Sequence, residues 1–285
     1  MYPATRDISL GYVTIPLHPI LLRNQPAVIT SENRHSIAQT PESVTASVLA
    51  WGPSIVFVRD ELVTYDICRK AVEGHSGAIC SIKPHLLPPD KYYDICLLAM
   101  QKNGRNLQYI PQNQEIADTA IKNACWALAQ CADQFKTYDN CMSAVTRNGQ
   151  LLQHVPAELI DQEICRAATR TKYVCLQHIP PTFMSQELCD LAVQANGENI
   201  RHVPDTYMSS DLAMLAIKSP DVNMSGAHIQ YIPAAYLTKE IIVEAVKRWS
   251  PIASRIPPEA LTADVQAAIA QNMTAITHTN PSKQP

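Results

Sequence analysis

Between Ile160 and Pro204 the chain states one pattern twice, 24 residues apart. Asp161 and Ser185 are each followed two residues later by an acid, Glu163 or Glu187. An aliphatic–cysteine pair comes next (Ile164-Cys165, Leu188-Cys189), then an alanine three further on (Ala168, Ala192). Both copies close on histidine, an aliphatic residue and proline: His178-Ile179-Pro180 and His202-Val203-Pro204. A fixed period of this size marks a stacked repeat, in which a small unit buries its apolar face only against its neighbours. Such a chain has no use for one central core.

The column extends to Thr40, Thr64, Tyr92, Asn113, Thr137, Asp161, Ser185, Ser209, Thr238 and Thr262. All but Tyr92 are residues whose side-chain oxygen can accept from the free N–H groups of a helix's first turn, and each has an acid two residues on, which complements the helix dipole. Apolar residues three, four, seven and eight after the cap share one helical face, as Leu188, Cys189, Ala192 and Val193 do. Gly52, Gly104, Gly149 and Gly197 follow in one column, where a left-handed C-terminal residue is expected. Leu107/Ile110, Leu152/Val155 and Ile200/Val203 then predict a second, shorter helix, ended by a proline that cannot continue the hydrogen-bond ladder. The expected fold is all-α, an α-solenoid of about ten helical-hairpin repeats of ~24 residues.

Composition narrows the function classes. Net charge is −3, against the basic face of a nucleic-acid binder. No apolar run reaches the ~18 residues of a membrane span. Phosphate-binding glycine loops and the H-E-x-x-H and G-x-S-x-G patterns are absent, so no cofactor is expected. Five of the nine cysteines (Cys68, Cys96, Cys141, Cys165, Cys189) share one column with Val44, Ala117 and Ala213. The slot therefore wants a small apolar group, and the thiols are expected to be free and buried, in a reducing compartment. Residues 40–275 are expected to form the array, 1–39 a poorly structured leader, and 276–285 a flexible tail. Ser219 to His228 expands the eighth repeat, and Trp249-Ser250-Pro251 echoes Trp51-Gly52-Pro53.

The candidate binding residues are the pairs before the closing aliphatic residue: Gln108-Tyr109, Gln153-His154, Gln177-His178, Arg201-His202 and Gln230-Tyr231. Their Leu and Ile neighbours take the buried face, so the pairs point elsewhere, and stacking would line them up. One reading makes them a strip for a peptide or protein partner. The other makes them satisfy backbone carbonyls between repeats. A metal site drawn from Cys175 and His178 with Cys165 and Cys189 lacks the two close pairs of a zinc motif. A cysteine nucleophile with His154, His178 or His202 as base needs the two to touch.

The phrases NGRNLQYIP (103–111), NGQLLQHVPAEL (148–159) and NGENIRHVP (196–204) each follow A-[MV]-x-x-N. They resemble an A-V-x-x-N-G-x-x-L-x-Y helical repeat of bacteria and large viruses catalogued as a domain of unknown function. The resemblance covers about 40–275 and implies no reaction. It implies the effector-like proteins of host-associated microbes. The expected function is thus a protein-binding scaffold, a secreted bacterial effector or host-interaction protein acting in a reducing cytosol, with residues 1–39 serving secretion or a secretion chaperone. The alternative is an enzyme with a Cys/His site on one face of the array.

Overall fold

The computed structural model describes residues 28–219, 227–248 and 255–279, and every regular element among them is helical. Ten α-helices run in order: α1 Pro41–Ala50, α2 Tyr65–Gly74, α3 Pro89–Lys102, α4 Gln114–Asn123 and α5 Tyr138–Arg147, then α6 Gln162–Thr169, α7 Gln186–Ala195, α8 Ser210–Lys218, α9 Lys239–Arg248 and α10 Ala263–Thr279. The all-α class holds. The hairpin does not, because most repeats have three helical stretches rather than two; the third repeat, α3 with Gly104–Tyr109, keeps two.

The fifth repeat shows the plan. Thr137 caps α5 by accepting from the Asn140 N–H, and Asn148 ends it in an extended conformation. A six-residue 3-10 helix follows, Gly149–His154, with Leu151 and Leu152 buried. Val155 is extended, Pro156 opens a three-residue 3-10 turn (Ala157–Leu159), and Ile160 leads into the next cap. The same short third turn recurs at Pro181–Phe183, Asp205–Tyr207, Ala234–Tyr236 and Pro258–Ala260. Three residues carry no period, so pattern reading passes over it. Proline suits its start because φ is preset and no N–H is needed there.

The cap column is realised at Thr40, Thr64, Asn113, Thr137, Asp161, Ser185 and Ser209, whose side chains accept from the backbone N–H three residues on. Thr238 does the same for Ile241. Tyr92 does not: α3 begins three residues earlier, and the Tyr92 N–H donates within the helix to Pro88 O. Pro89 at the first helical position explains the early start. The proline-rich stretch from Lys83 to Asp90 is thus a 3-10 turn (Pro84–Leu86) followed by the start of α3.

The glycine column needs correction. None of Gly52, Gly104, Gly149 and Gly197 has a positive φ. A Cβ at each would instead collide with the carbonyl of Ala71, Ala120, Ala168 or Ala216, one repeat on. Without a side chain the Gly149 N–H reaches Thr171 Oγ1 at 3.1 Å, and the Gly197 N–H reaches Ser219 Oγ at 2.9 Å. The asparagine before the glycine has its own task. Asn103, Asn148 and Asn196 each accept, through Oδ1, the N–H two residues on, which starts the 3-10 helix. The N-G pair is therefore a cap joined to a close approach.

Packing divides the chain into two compact bodies, 1–95 and 96–285. In the first, α1 packs on α2, and Gly52–Phe57 packs on Ser76–Ser81. In the second, each helix from α4 to α9 packs on its successor. The cysteine column is buried as expected, at Cys68 in the first body and at Cys96, Cys141, Cys165 and Cys189 in the second.

Residues 28–39 differ from the loosely docked leader expected for them. Ile29 is fully buried, and its N–H donates to Ser47 Oγ of α1 at 2.8 Å. Gln39 donates to Phe57 O and accepts from the Arg59 N–H. The rest of the proposed leader (1–27), most of the 219–228 expansion, the Trp249-Ser250-Pro251 echo and residues 280–285 lie outside the described residues. Helix α10 continues four residues past the expected end of the array at 275.

Candidate interaction surface

Each candidate pair sits at the end of a 3-10 stretch: Gly104–Tyr109, Gly149–His154, Leu176–His178, Gly197–His202 and Ala227–Tyr231. These stretches pack on one another in chain order, with Cys125–Ala129 between the first and second. The leading member of every pair is exposed (Gln108, Gln153, Gln177, Arg201, Gln230). The ring residues His154, His178 and His202 are half-buried, while Tyr109 and Tyr231 are 47% and 37% exposed. The structure thus brings all ten residues to the ends of consecutive, mutually packed turns.

The bonds these side chains make run along the strip. Gln177 Nε2 lies 3.0 Å from His178 Nε2, and Arg201 Nε donates to His202 Nε2 at 2.8 Å. Arg201 also pairs with Glu198 at 2.9 Å, and its guanidinium lies 5.9 Å from the centre of the Tyr231 ring. Between repeats, Gln230 Oε1 accepts from Arg255 Nη1 at 3.4 Å, and most other ties come from residues outside the strip. Arg147 donates to the Ile121 and Lys122 carbonyls, Lys136 to His154 O, Tyr207 to Met184 O, and Ser210 to Tyr236 O.

Sequence reasoning passed over one rung. The 3-10 stretch Cys125–Ala129 offers only Ala129 and Gln130 where its neighbours have an amide and a ring. Side chains three apart eclipse on a 3-10 helix, so Trp126, 38% exposed, shares the face of Ala129, the position the neighbouring turns fill with Gln or Arg. That repeat lacks the closing proline, which hid it. Counting from the residue after α4 would have found it.

The imidazoles are held toward their neutral form. Partial burial lowers His154, helped by Lys136; burial and then His154 lower His178; burial, Arg201 and His178 lower His202. Such groups bind fewer protons folded than unfolded, so they oppose folding as pH drops below the ordinary value of 6.5 and through their depressed values. We expect the urea midpoint to fall as pH drops below 6.5, and to fall less in His178→Ala. Identical pH slopes for both proteins would contradict the assignment.

The thiols read differently from a catalytic set. Burial pushes Cys68 and Cys175 up to about 12, and Cys131, Cys141, Cys165 and Cys189 up to about 11. An attacking sulfur needs the opposite shift. Cys165, Cys175 and Cys189 are buried while His178 is half-buried at the end of its 3-10 turn, and among the described residues no three metal-binding side chains gather. Native labelling with a maleimide should modify exposed Cys80 first and spare the buried seven, as mass spectrometry of the digest will show. Fast modification of Cys175 would reopen the catalytic reading.

Elsewhere the surface offers open grooves, one between α4 and α5 lined by Asp118, Lys122, Asp139 and Asn140, another between α5 and α6 lined by Glu163, Arg166 and Arg170. Neither groove is lined by a histidine or a cysteine. Among the described residues no helix is long and apolar enough to cross a membrane. No family model, curated protein or solved structure matches the chain.

Proposed function

We propose that this chain is a protein-binding repeat scaffold, wound as an α-solenoid, whose contact surface is the strip from Tyr109 to Tyr231. One observation carries the reading: five polar–aromatic pairs occupy the ends of 3-10 turns that pack in sequence, while most of the bonds joining repeats are made by other side chains. Tyr and His tips present apolar area with a polar end, the composition of contact surfaces. Gln177, Gln153 and Gln108 add exposed donors and acceptors beside them. Repeat arrays present such surfaces because neighbouring units place like residues side by side.

The A-V-x-x-N-G resemblance supports a setting for this activity. Under it the protein is a secreted effector of a host-associated bacterium, acting in the reducing host cytosol, where nine free cysteines are stable. Residues 1–39 would carry the secretion or chaperone-binding function.

The test is a pull-down from host-cell lysate with the wild type and with His154→Ala, His178→Ala and His202→Ala combined. The triple variant should lose the wild type's specific partner, at least about a hundredfold in affinity if each ring contributes about 1 kcal/mol. Its circular dichroism should remain helical. A triple variant that unfolds would show that the rings join the repeats; one that folds and still captures the partner would place binding on another face.

A further inference from the structure

We propose that the chain's own stretch from Ile8 to Leu22, which lies outside the described residues, docks on apolar side chains that the first repeat leaves open. The inference does not depend on the strip being a contact surface. It concerns α1, the 3-10 stretch Gly52–Phe57 and the joint between them. These carry Leu49, Trp51 and Val56, which are 58%, 39% and 48% exposed.

The other repeats show what ordinarily stands at these positions. Leu49 comes nine residues after the cap Thr40. In the repeats of α2 and of α4 to α8 the same position holds Glu73, Lys122, Thr146, Arg170, Gln194 and Lys218, every one polar and exposed. Val56 comes four residues after Gly52. Four residues after Gly104, Gly149 and Gly197 stand Gln108, Gln153 and Arg201, all exposed. Two columns that face water elsewhere therefore turn apolar in one repeat, at the beginning of the array. An array stays in solution by showing water polar side chains at its ends, so this repeat calls for a cover.

The chain supplies one of matching chemistry, attached beside the surface. Between Asp7 and Arg23 no acidic or basic residue occurs apart from His18, and Ile8, Leu10, Val13, Ile15, Leu17 and Leu21 are aliphatic. Downstream, fully buried Ile29 anchors the chain: its N–H donates to Ser47 Oγ at 2.8 Å, and Ser47 Oγ donates to Ser54 Oγ at 2.9 Å. Ser47 is two residues before Leu49 in α1, and Ser54 two before Val56 in the 3-10 stretch. Both targets thus lie about one helix diameter, ~10–12 Å, from the anchor. The linker from Arg23 to Ala27 reaches about 17 Å when extended, which is enough. A segment tethered this closely has an effective concentration on the order of millimolar, which a second copy or a separate partner would have to exceed.

Leu49→Cys in the full chain supplies the probe, read as the rate of maleimide labelling at that residue in mass spectra of the digest. Adding Leu17→Asp and Leu21→Asp to the same chain should speed that labelling at least about tenfold, by taking apolar area out of the contact. Circular dichroism should show equal helicity with and without the aspartates. Val56→Cys is a second probe and serves if Leu49→Cys fails to fold; Leu17→Ser and Leu21→Ser replace the aspartates if those cost helicity. Equal labelling rates with and without the segment substitutions would overturn the proposal and leave the surface to a separate partner. Protection that fades on dilution, with a dimer in sedimentation, would overturn it in favour of a second copy.

Discussion

Gly104→Ala is expected to lower stability by about 3 kcal/mol, the upper range for overpacking a tight interior. A Cβ there would stand 2.8 Å from the Ala120 carbonyl carbon and closer still to its oxygen. Both atoms are backbone in the middle of α4, which cannot rotate aside as a side chain would. Helix α4 must move outward, and contacts to the next repeat loosen with it, since an array of this kind is stabilised through nearest neighbours. Gly74→Ala is the control. Gly74 is the last residue of α2 with nothing within 4 Å of an added Cβ, so alanine there should be neutral or stabilise by roughly 0.5 kcal/mol. Urea melts of the two variants should diverge widely. Matching midpoints would mean the glycine column is not a close approach.

Asn199→Leu should cost about 3 kcal/mol or more, and its reason is local. Helix α6 ends early, at Thr169, and the 3-10 turn of that repeat is cut to Leu176–His178. The Cys175 and Leu176 N–H groups at its start both donate to Asn199 Oδ1 of the next repeat, at 3.0 and 3.2 Å. Asn199 Nδ2 donates in turn to Ala192 O and Asn196 O, and the residue is fully buried. Leucine has nearly the same shape but leaves two buried N–H groups without acceptors, at about 1–3 kcal/mol each. Hydrogen exchange gives the sharper readout: the amides of 175 and 176 should lose protection before the rest of the molecule. Unchanged protection at those two amides would show that another acceptor serves them.

Most of the repeat was legible in the sequence, for a physical reason. Helix starts are written in single residues, because a capping oxygen and an acid in the first turn act on N–H groups two or three positions away. Thr64, Asn113 and Ser185 could therefore be placed without knowing any fold. The buried cysteine column was readable because a slot of fixed volume accepts cysteine, alanine or valine alike, and the chain itself samples all three. Exposure of Gln153 and Gln177 followed from the buried Leu and Ile beside them.

What the sequence could not carry were facts that depend on the next repeat. Gly149 looks the same whether it serves a left-handed turn or a carbonyl pressed against it; only the approach of Ala168 decides. Asn199 reads as one polar residue in a variable position, and its role arises from a shortened helix a full repeat earlier. Trp126 shares a face with Ala129 because a 3-10 helix eclipses every third side chain, and nothing local distinguishes that winding from a short α-helix. Buried Ile29 shows the same limit at the other end of the chain: ITSENRHSIAQ is polar enough to stay in water, and it docks because Ser47 offers an acceptor to its first N–H. Short-range signals set the elements, and contacts about 24 residues apart set their purpose, because a stacked array completes each unit's surface with its neighbour's atoms.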